Sequence, residues 1–430
     1  MILKPSYHLL VPPVICPFSM PFRHEKSCLL HHIQIVPPRG KLCEQTRFFH
    51  ILCILDTPCT LIIKGEWIKN CYERNLPMPA ITASDFQQIH DLLNDFCQKP
   101  ASQLCSIISS DAPLQDDLSI IIPCYNEEKY ISFCLEQIVH YPFSKKVSII
   151  IIDDGSTDGS AKIIDSYASF PNVHIIHQEN KGFSGARNAG ISESMAKYVF
   201  LQDADDLVRP ECLEAMLDTA ISNDADLVEA HIFNVDESCE KLPPIAPSSE
   251  ISCEKIPRTS ISGYAGGKLI RKSFFEKLSF PEGYMFEDGI VSLLIAPMCR
   301  STFCCMEDAY AYRMNYNGIT ANIQKSKKAL HGYWMLEFAL EAMERLGIEK
   351  SDELYDEILS WISMNYVRIR YFDPGIKTAV FFATAYILDD WNRHANVTNR
   401  YKAVLQKALL SSDPDLYGQC CELVYNSILC

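Results

Sequence analysis

The 430-residue sequence contains no apolar run near the roughly 20 residues that cross a bilayer, and its longest candidate, Thr378 to Leu388, is only helix-sized. A secretion signal is missing too, because Leu9, Leu10 and Val11 run straight into Pro12-Pro13. These absences predict a cytoplasmic protein without a transmembrane segment, with peripheral docking on a membrane surface left open. Positive charge is also in short supply. The 39 Lys and Arg stand against 54 Asp and Glu, giving a formal net charge of −15 and a pI near 5.3. A nucleic-acid partner is therefore excluded, since it needs clustered Lys and Arg. If an anionic ligand binds, something other than bulk charge must attract it, and a bound cation is the obvious means. Finally, the 19 cysteines include no Cys-x-x-Cys pair, which excludes a zinc cage. Several, such as Cys134 and Cys212, fall in apolar periodic runs where a thiol behaves as a small hydrophobe, so the cysteines are read as reduced.

What is present is a globular composition, 48% hydrophobic and 22% charged, in a chain long enough for two or three domains. Residues 1–98 form an accessory region with short strand-like runs at Ile33 to Val36 and Phe48 to Leu55, then a helix near Phe86 to Phe96. No chemistry is legible there. Residues 99–117, rich in Pro, Ser and Asp, read as a linker. From Leu118 the texture becomes regular: Leu118 to Ile122, Val147 to Ile152, Val173 to Ile176 and Tyr198 to Leu201 are short buried strands. Between and after them, Ile131 to Val139, Ala161 to Ala168 and Leu213 to Ile221 carry helical stripes. Ser156 or Thr157 is positioned to cap the second helix, and Pro210 to open the third. This alternation predicts an α/β domain over 118–325 with an open, mostly parallel sheet and flanking helices. Ser238 to Ser260 reads as a loop, and 326–430 as a helical subdomain, with Leu354, Ile358, Trp361, Ile362 and Ile369 as one buried stripe.

Ligands of open α/β sheets collect at the carboxyl ends of the strands. Strand one runs into Pro123-Cys124-Tyr125-Asn126-Glu127, strand two into Asp153-Asp154-Gly155-Ser156-Thr157-Asp158, and strand four into Gln202-Asp203-Ala204-Asp205-Asp206. Asp and Ser also cap helices, so the second cluster alone has an ordinary structural reading. Asp203 and Asp205, one residue apart after a buried strand, can hold a hard divalent ion that keeps positions open for diphosphate oxygens. Gly182 to Asn188 lets a backbone approach closely, and its Arg187 either meets a phosphate or carboxylate or packs against the first acidic cluster, that of strand two. It is neither a Gly-x-Gly-x-x-Gly nor a Walker loop. Glu287-Asp288 is either a helix N-terminal acidic pair or the source of a general base.

Taken together, Ile120 to Glu127, Ile152 to Asp158, Asn180 to Asn188 and Asp203 to Asp206 resemble, in order and spacing, the family 2 glycosyltransferases of GT-A fold. The resemblance extends less specifically through Gly267-Lys268-Leu269, Glu287-Asp288 and Tyr312-Arg313 to Ile319-Thr320, so it covers about 117–322. It implies a nucleotide pocket lined by Pro123, Tyr125 and Glu127, with Asp154 accepting from the base ring and Arg187 beside the nucleotide or its phosphates. Asp203 would face the ribose or sugar, Asp205 would bind Mn2+ or Mg2+, and Asp288 would be the catalytic base with Glu287 in support. The implied donor is a nucleotide sugar, a UDP-sugar first. The acceptor is the hydroxyl of a carbohydrate or a lipid-linked molecule, and transfer inverts the anomeric centre in cell-surface polysaccharide or glycoconjugate synthesis. Cys124 stands where Ser, Thr, Ala or Val is commoner, and Gly318 replaces a usual Ser; neither removes a catalytic group. A nucleotidyltransferase would carry a basic Gly-rich loop after strand one, which Pro123 to Glu128 is not. A non-catalytic nucleotide-sugar-binding module would commonly have lost one of Asp203, Asp205 and Asp288.

Overall fold

The computed structural model describes residues 81–429 except 102–103, 108–113, 244–250, 316–321 and 412. The strand-like runs at Ile33 to Val36 and Phe48 to Leu55 lie outside the described residues, as do Gly318 to Thr320, part of the 99–117 linker and part of the 238–260 loop.

The chain enters through helix α1 (Ala83–Phe96), opened by Thr82 and Asp85 in a reciprocal capping box. Among the described residues nine strands follow: β1 (Asp116–Cys124), β2 (Val147–Asp153), β3 (Val173–His177), β4 (Ala196–Leu201), β5 (Leu207–Val208), β6 (Leu227–Val235), β7 (Cys253–Lys255), β8 (Lys268–Arg271) and β9 (Thr302–Arg313). Interleaved are α2 (Ile131–Val139), α3 (Ser160–Asp165), α4 (Gly182–Glu193) and α5 (Pro210–Ser222). The sheet order is β3-β2-β1-β4-β8-β6-β9-β5, with β7 also on β9. β3, β2, β1 and β4 pair in parallel, while β8 runs antiparallel to both β4 and β6. This is the open α/β sheet with flanking helices expected from the sequence.

The isoleucine-rich runs explain the buried half. In β1, Leu118, Ile120 and Ile122 share a core with Ile131, Leu135 and Ile138 of α2 and with Leu213, Met216 and Leu217 of α5. Ile121 points to the opposite face, where α4 comes so close that a Cβ on Gly190 would lie 2.6 Å from Ile121 Cγ2 and 2.7 Å from Ile152 Cδ1. Both faces are covered, which is why these strands read as continuous rather than alternating apolar runs. Pro210 stands in the first turn of α5, as its missing N–H permits. Ser156 and Thr157 do not cap α3, which starts at Ser160 behind Gly159. They brace the loop after β1 instead, where Asn126 N–H donates to Ser156 Oγ at 3.1 Å and Thr157 N–H to Asn126 Oδ1 at 2.7 Å.

Beyond β9 the chain is helical: α6 (His331–Leu346), α7 (Asp352–Ile369), α8 (Pro374–Ile387), α9 (Asp389–His394), α10 (Arg400–Leu409) and α11 (Pro414–Leu429). The stripe Leu354, Ile358, Trp361, Ile362 and Ile369 is buried on α7. α1 returns onto these helices, with Phe86 stacked on Tyr386 at 4.4 Å and Phe96 edge-on to Phe372 at 5.1 Å. Trp334 Nε1 donates to the carbonyl of Cys97 at 3.0 Å. No helix among the described residues is long and apolar enough to cross a membrane.

Candidate active site

The order β3-β2-β1-β4 places the topological switch between β1 and β4, and the polar clusters of the sequence leave the sheet there. At the β1 exit Asn126 adopts a left-handed conformation, φ 57°. Glu127 N–H donates to Ser160 Oγ at 2.8 Å, Glu128 N–H to Asp158 Oδ2 at 3.1 Å, and Gly159 N–H to Glu128 Oε2 at 2.7 Å. Ser156 to Asp158 thus fix the loop that carries Glu127. Pro123 is buried at the strand end, and Tyr125 is 45% exposed at the lip.

At the β2 exit both aspartates are buried and already engaged. Asp153 accepts from Ser156 N–H at 3.0 Å and faces His177 Nδ1 at 2.8 Å. Burial opposes its charge, but these two partners outweigh it and hold its carboxyl below the usual range. Asp154 Oδ1 accepts from Gln178 Nε2 at 2.6 Å and Lys181 N–H at 2.9 Å, and Oδ2 from Gly182 N–H at 2.8 Å. Asp154 therefore ties the β2 turn to the start of α4, and Gly182 turns there with φ 74°.

The β4 exit gathers the densest negative charge. Asp206 is buried and takes Arg313 N–H at 2.8 Å. Burial first, then Asp205 and Asp203, push its carboxyl well up. Asp205 is pushed up to about 6 by burial and then by Asp203. Across the cleft mouth Glu127 reaches about 8, through burial and then Asp205, Asp158 and Asp203, with Arg313 opposing. These carboxyls hold protons more tightly because they are buried and then because they crowd one another, and the crowding is what a hard cation relieves. Among the described residues no three His, Cys, Asp or Glu groups converge enough to hold a metal ion by themselves.

Asp203 faces a different partner. Its Oδ1 accepts from Arg187 Nη2 at 2.9 Å, and Arg187 Nη1 donates to Glu287 Oε1 at 2.6 Å. Arg187 is 5% exposed, lies near the Phe280 ring (5.4 Å to its centre), and its Nε has no hydrogen-bond partner. Burial works against its charge, but Asp203 and then Glu287 outweigh it, so the guanidinium stays protonated. Arg187 thus packs against the acidic cluster at the β4 exit, not against the first cluster at the β2 exit that the sequence offered. Asp288, half-buried beyond this bridge, is pushed up to about 7 by burial and then by Glu287, with Arg368 and Arg187 opposing.

Residues 119–278 match the family described as glycosyl transferase family 2. That segment belongs to the family. Among curated relatives, glycosyltransferase GlyG of Streptococcus pneumoniae serotype 4 is 27% identical over 270 residues, which is 59% of this chain and 85% of GlyG. GlyA of the same organism is 27% identical over 222 residues, 48% of this chain but only 32% of GlyA. The crystal structure of S. aureus TarS 1-349 in complex with UDP-GlcNAc has the same fold, with a TM-score of 0.52 at 16% identity, covering 72% of this chain and 91% of TarS 1-349. The family match ends ten residues before Asp288, and beyond it the Arg187 bridge links Glu287, the residue before Asp288, to Asp203.

Several residues that organise the transferase's site escaped the sequence. Tyr310 Oη accepts from Asp203 N–H at 3.1 Å. Arg313, seen only as part of the resemblance, is 1% exposed and donates through Nε to the Asp205 carbonyl at 2.6 Å and through Nη1 to the carbonyls of Glu237 and Cys239 at 2.9 and 2.6 Å. Lys268 on β8 and Glu229 on β6 form a buried pair at 2.7 Å. Arg368 on α7 reaches the surroundings of Asp288 from outside the matched segment. The available signal was an arginine or lysine in an otherwise apolar run, as with Lys268 before Leu269-Ile270 and Arg368 beside Ile369.

Proposed function

We propose that this glycosyltransferase moves a sugar from a nucleoside-diphosphate sugar, a UDP-sugar first, to an acceptor hydroxyl with inversion of the anomeric centre. The acceptor is read as a carbohydrate or lipid-linked molecule of cell-surface polysaccharide or glycoconjugate synthesis. The carrying observation is the pair of unlike carboxylates on the two sides of the Arg187 bridge: the crowded Asp205 at the β4 exit, and Asp288 with its carboxyl near neutrality. A general base works best when its proton affinity lies near the working pH.

In this reading Pro123, Tyr125 and Glu127 line the nucleotide pocket. Asp154 has one acceptor position left on Oδ2 for an N–H of the base, since its other three are taken. Asp205 would hold a Mn2+ or Mg2+ ion, whose charge offsets the diphosphate when bound. Asp203, fixed by Arg187, faces the ribose or sugar. Asp288 takes the proton from the acceptor hydroxyl as its oxygen bonds the anomeric carbon. The bond from that carbon to the diphosphate breaks on the opposite side, and the nucleoside diphosphate leaves with the electron pair. Glu287, held by Arg187, orients the Asp288 segment. One displacement needs one base, which fits inversion.

The test is release of nucleoside diphosphate from a panel of nucleotide sugars, UDP-GlcNAc included, with and without Mn2+, with candidate acceptors present. Mn2+-dependent release with an inverted product anomer, read by NMR, is the expected result. Retention of the anomeric configuration would overturn the single-displacement mechanism. Release of inorganic pyrophosphate instead would make the chain a nucleotidyltransferase.

A further inference from the structure

The segment carrying Asp288 does not rest on the strands alone; it is seated on the C-terminal helices. Met285 N–H donates to His331 Nδ1 at 3.2 Å, and the Tyr284 ring lies 5.5 Å from Phe338, both on α6. On α7, Trp361 packs so tightly on Gly289 that a Cβ there would lie 2.4 Å from the indole. Between these contacts the Arg368 guanidinium lies 3.7 Å from the centre of the Phe286 ring. Arg368 Nη1 also donates to Asn365 Oδ1 at 2.8 Å, and Asn365 Nδ2 donates to the Gly332 carbonyl at 2.8 Å. Trp361 Nε1 donates to the same carbonyl at 3.1 Å, so α6 and α7 are locked together beneath the arginine. A planar cation held on a ring face and by one amide has little freedom.

The charged and titratable groups facing Asp288 are Glu287 on its own segment, Arg187 on α4, Asp203 after β4, Arg368 on α7 and the Tyr264 hydroxyl. Burial and then Asp288 push Tyr264 up to about 12, so it is neutral. His331 is pushed down to about 4 by burial and then Lys328, so it is neutral as well. Arg187 is committed to Asp203 and Glu287. Arg368, by contrast, forms no salt bridge among the described residues, and the carboxylate it bears upon is Asp288.

We propose that Arg368 is a positioning residue of the transfer reaction. Laid on Phe286, two residues before Asp288, and tied to Asn365, it fixes a positive charge on the segment that carries Asp288 and so sets the pH at which that carboxylate can accept a proton. The helical tail thereby supplies part of the active centre from outside the family-matched segment. This rests on reading Asp288 as the base. An opposite charge at short range favours the ionised carboxylate, so removing it raises the pH needed for activity.

The test is the pH profile of kcat and the donor KM, measured on the full chain with the donor and acceptor that the nucleotide-sugar panel identifies. Arg368→Met is expected to move the acidic limb up by about one pH unit and to cost roughly 5-fold at pH 7, with donor KM unchanged. Arg368→Lys keeps the charge and is expected to restore most of the limb. Phe286→Leu removes the seat but not the charge, and should move the limb in the same direction by less. A limb that stays in place in both Arg368→Met and Phe286→Leu, with any loss uniform across pH, overturns the proposal and leaves a structural contact. If Arg368→Met does not fold, Phe286→Leu decides alone. Asp288→Asn separates the two readings: an acidic limb that survives in that variant removes Asp288 as the base, whatever Arg368 does.

Discussion

At the residue scale the site is a division of labour among carboxylates, set by their surroundings. Asp288, near 7, must lose its proton to act, so turnover should fall as pH drops through neutrality and level off above it. Asp288→Asn keeps the size and most hydrogen bonding but cannot take a proton. It should cost about 10²- to 10⁴-fold in kcat and leave donor affinity unchanged, whereas Glu287→Gln should cost less. Steady-state rates and donor binding measured side by side check this; near-normal turnover in Asp288→Asn would sink the assignment. Asp205→Asn is expected to weaken nucleoside-diphosphate binding and abolish its sensitivity to chelator, because a hard cation prefers charged oxygens. Titration calorimetry with UDP, with and without Mn2+, reads this directly, and equal affinities in all four measurements would remove Asp205 as ligand. Asp203 and Asp205 could be proposed from the sequence because their neighbours form the motif, and Asp288 only from a less specific extension of the resemblance. Arg313, Tyr310 and Arg368 were not, because each meets the site across a tertiary contact that no spacing along the chain encodes.

At the element scale, legibility followed burial. β1, β2 and β4 are covered on both faces, so their sequences are unbroken apolar runs that stand out from the helices between them. β8 defeats the same reading: it has four residues, and its first, Lys268, is fully buried against Glu229 of β6. A charge at the centre of a sheet looks like a loop until its partner is known. β9 hides for a related reason, carrying Glu307 and Asp308 in mid-strand. The α4–sheet contact offers a sharp test of packing. Ala is favoured over Gly in a helix by about 1 kcal/mol. At Gly190, however, the new methyl would meet Ile121 Cγ2, which has no free rotation away, in a fully buried layer. Overpacking of this kind costs about 1–3 kcal/mol, so it should win. Gly190→Ala is expected to lower the urea midpoint with an unchanged slope. A midpoint equal to or above that of the unsubstituted protein would show that α4 shifts freely on the sheet.

At the scale of the whole molecule, the strand core, the tail helices and α1 belong to one compact unit, and that changes where the chain can be cut. All residues assigned to donor and base lie between Pro123 and Asp288, but the segment that carries Asp288 is seated on α6 and α7. α6 and α8 in turn are covered by the segment from 83 to 99. His90 packs edge-on to Trp334 at 5.0 Å, and Lys99 Nζ reaches Glu337 at 2.9 Å. Glu337 is 6% exposed and also takes His90 and the Tyr333 hydroxyl, so without Lys99 a buried carboxylate loses its strongest cation. Ile107 N–H further binds the Phe275 carbonyl at 2.8 Å. Deleting residues 1–80 removes none of these groups and should leave nucleotide binding and thermal midpoint close to those of the full chain. Deleting 1–110 strips the aromatic faces of Trp334, Phe372 and Tyr386 and unpairs Glu337, and removing one partner of a buried pair alone costs about 3–5 kcal/mol. That shorter fragment should therefore melt well below the other and lose transfer before donor binding, because the loosened tail holds the Asp288 segment rather than the nucleotide pocket. Thermal unfolding with UDP titration on both fragments checks the order. Equal midpoints would mean that α1 contributes nothing to the tail, and loss of UDP binding in the 1–80 deletion would mean that the donor site extends into residues before Ile81.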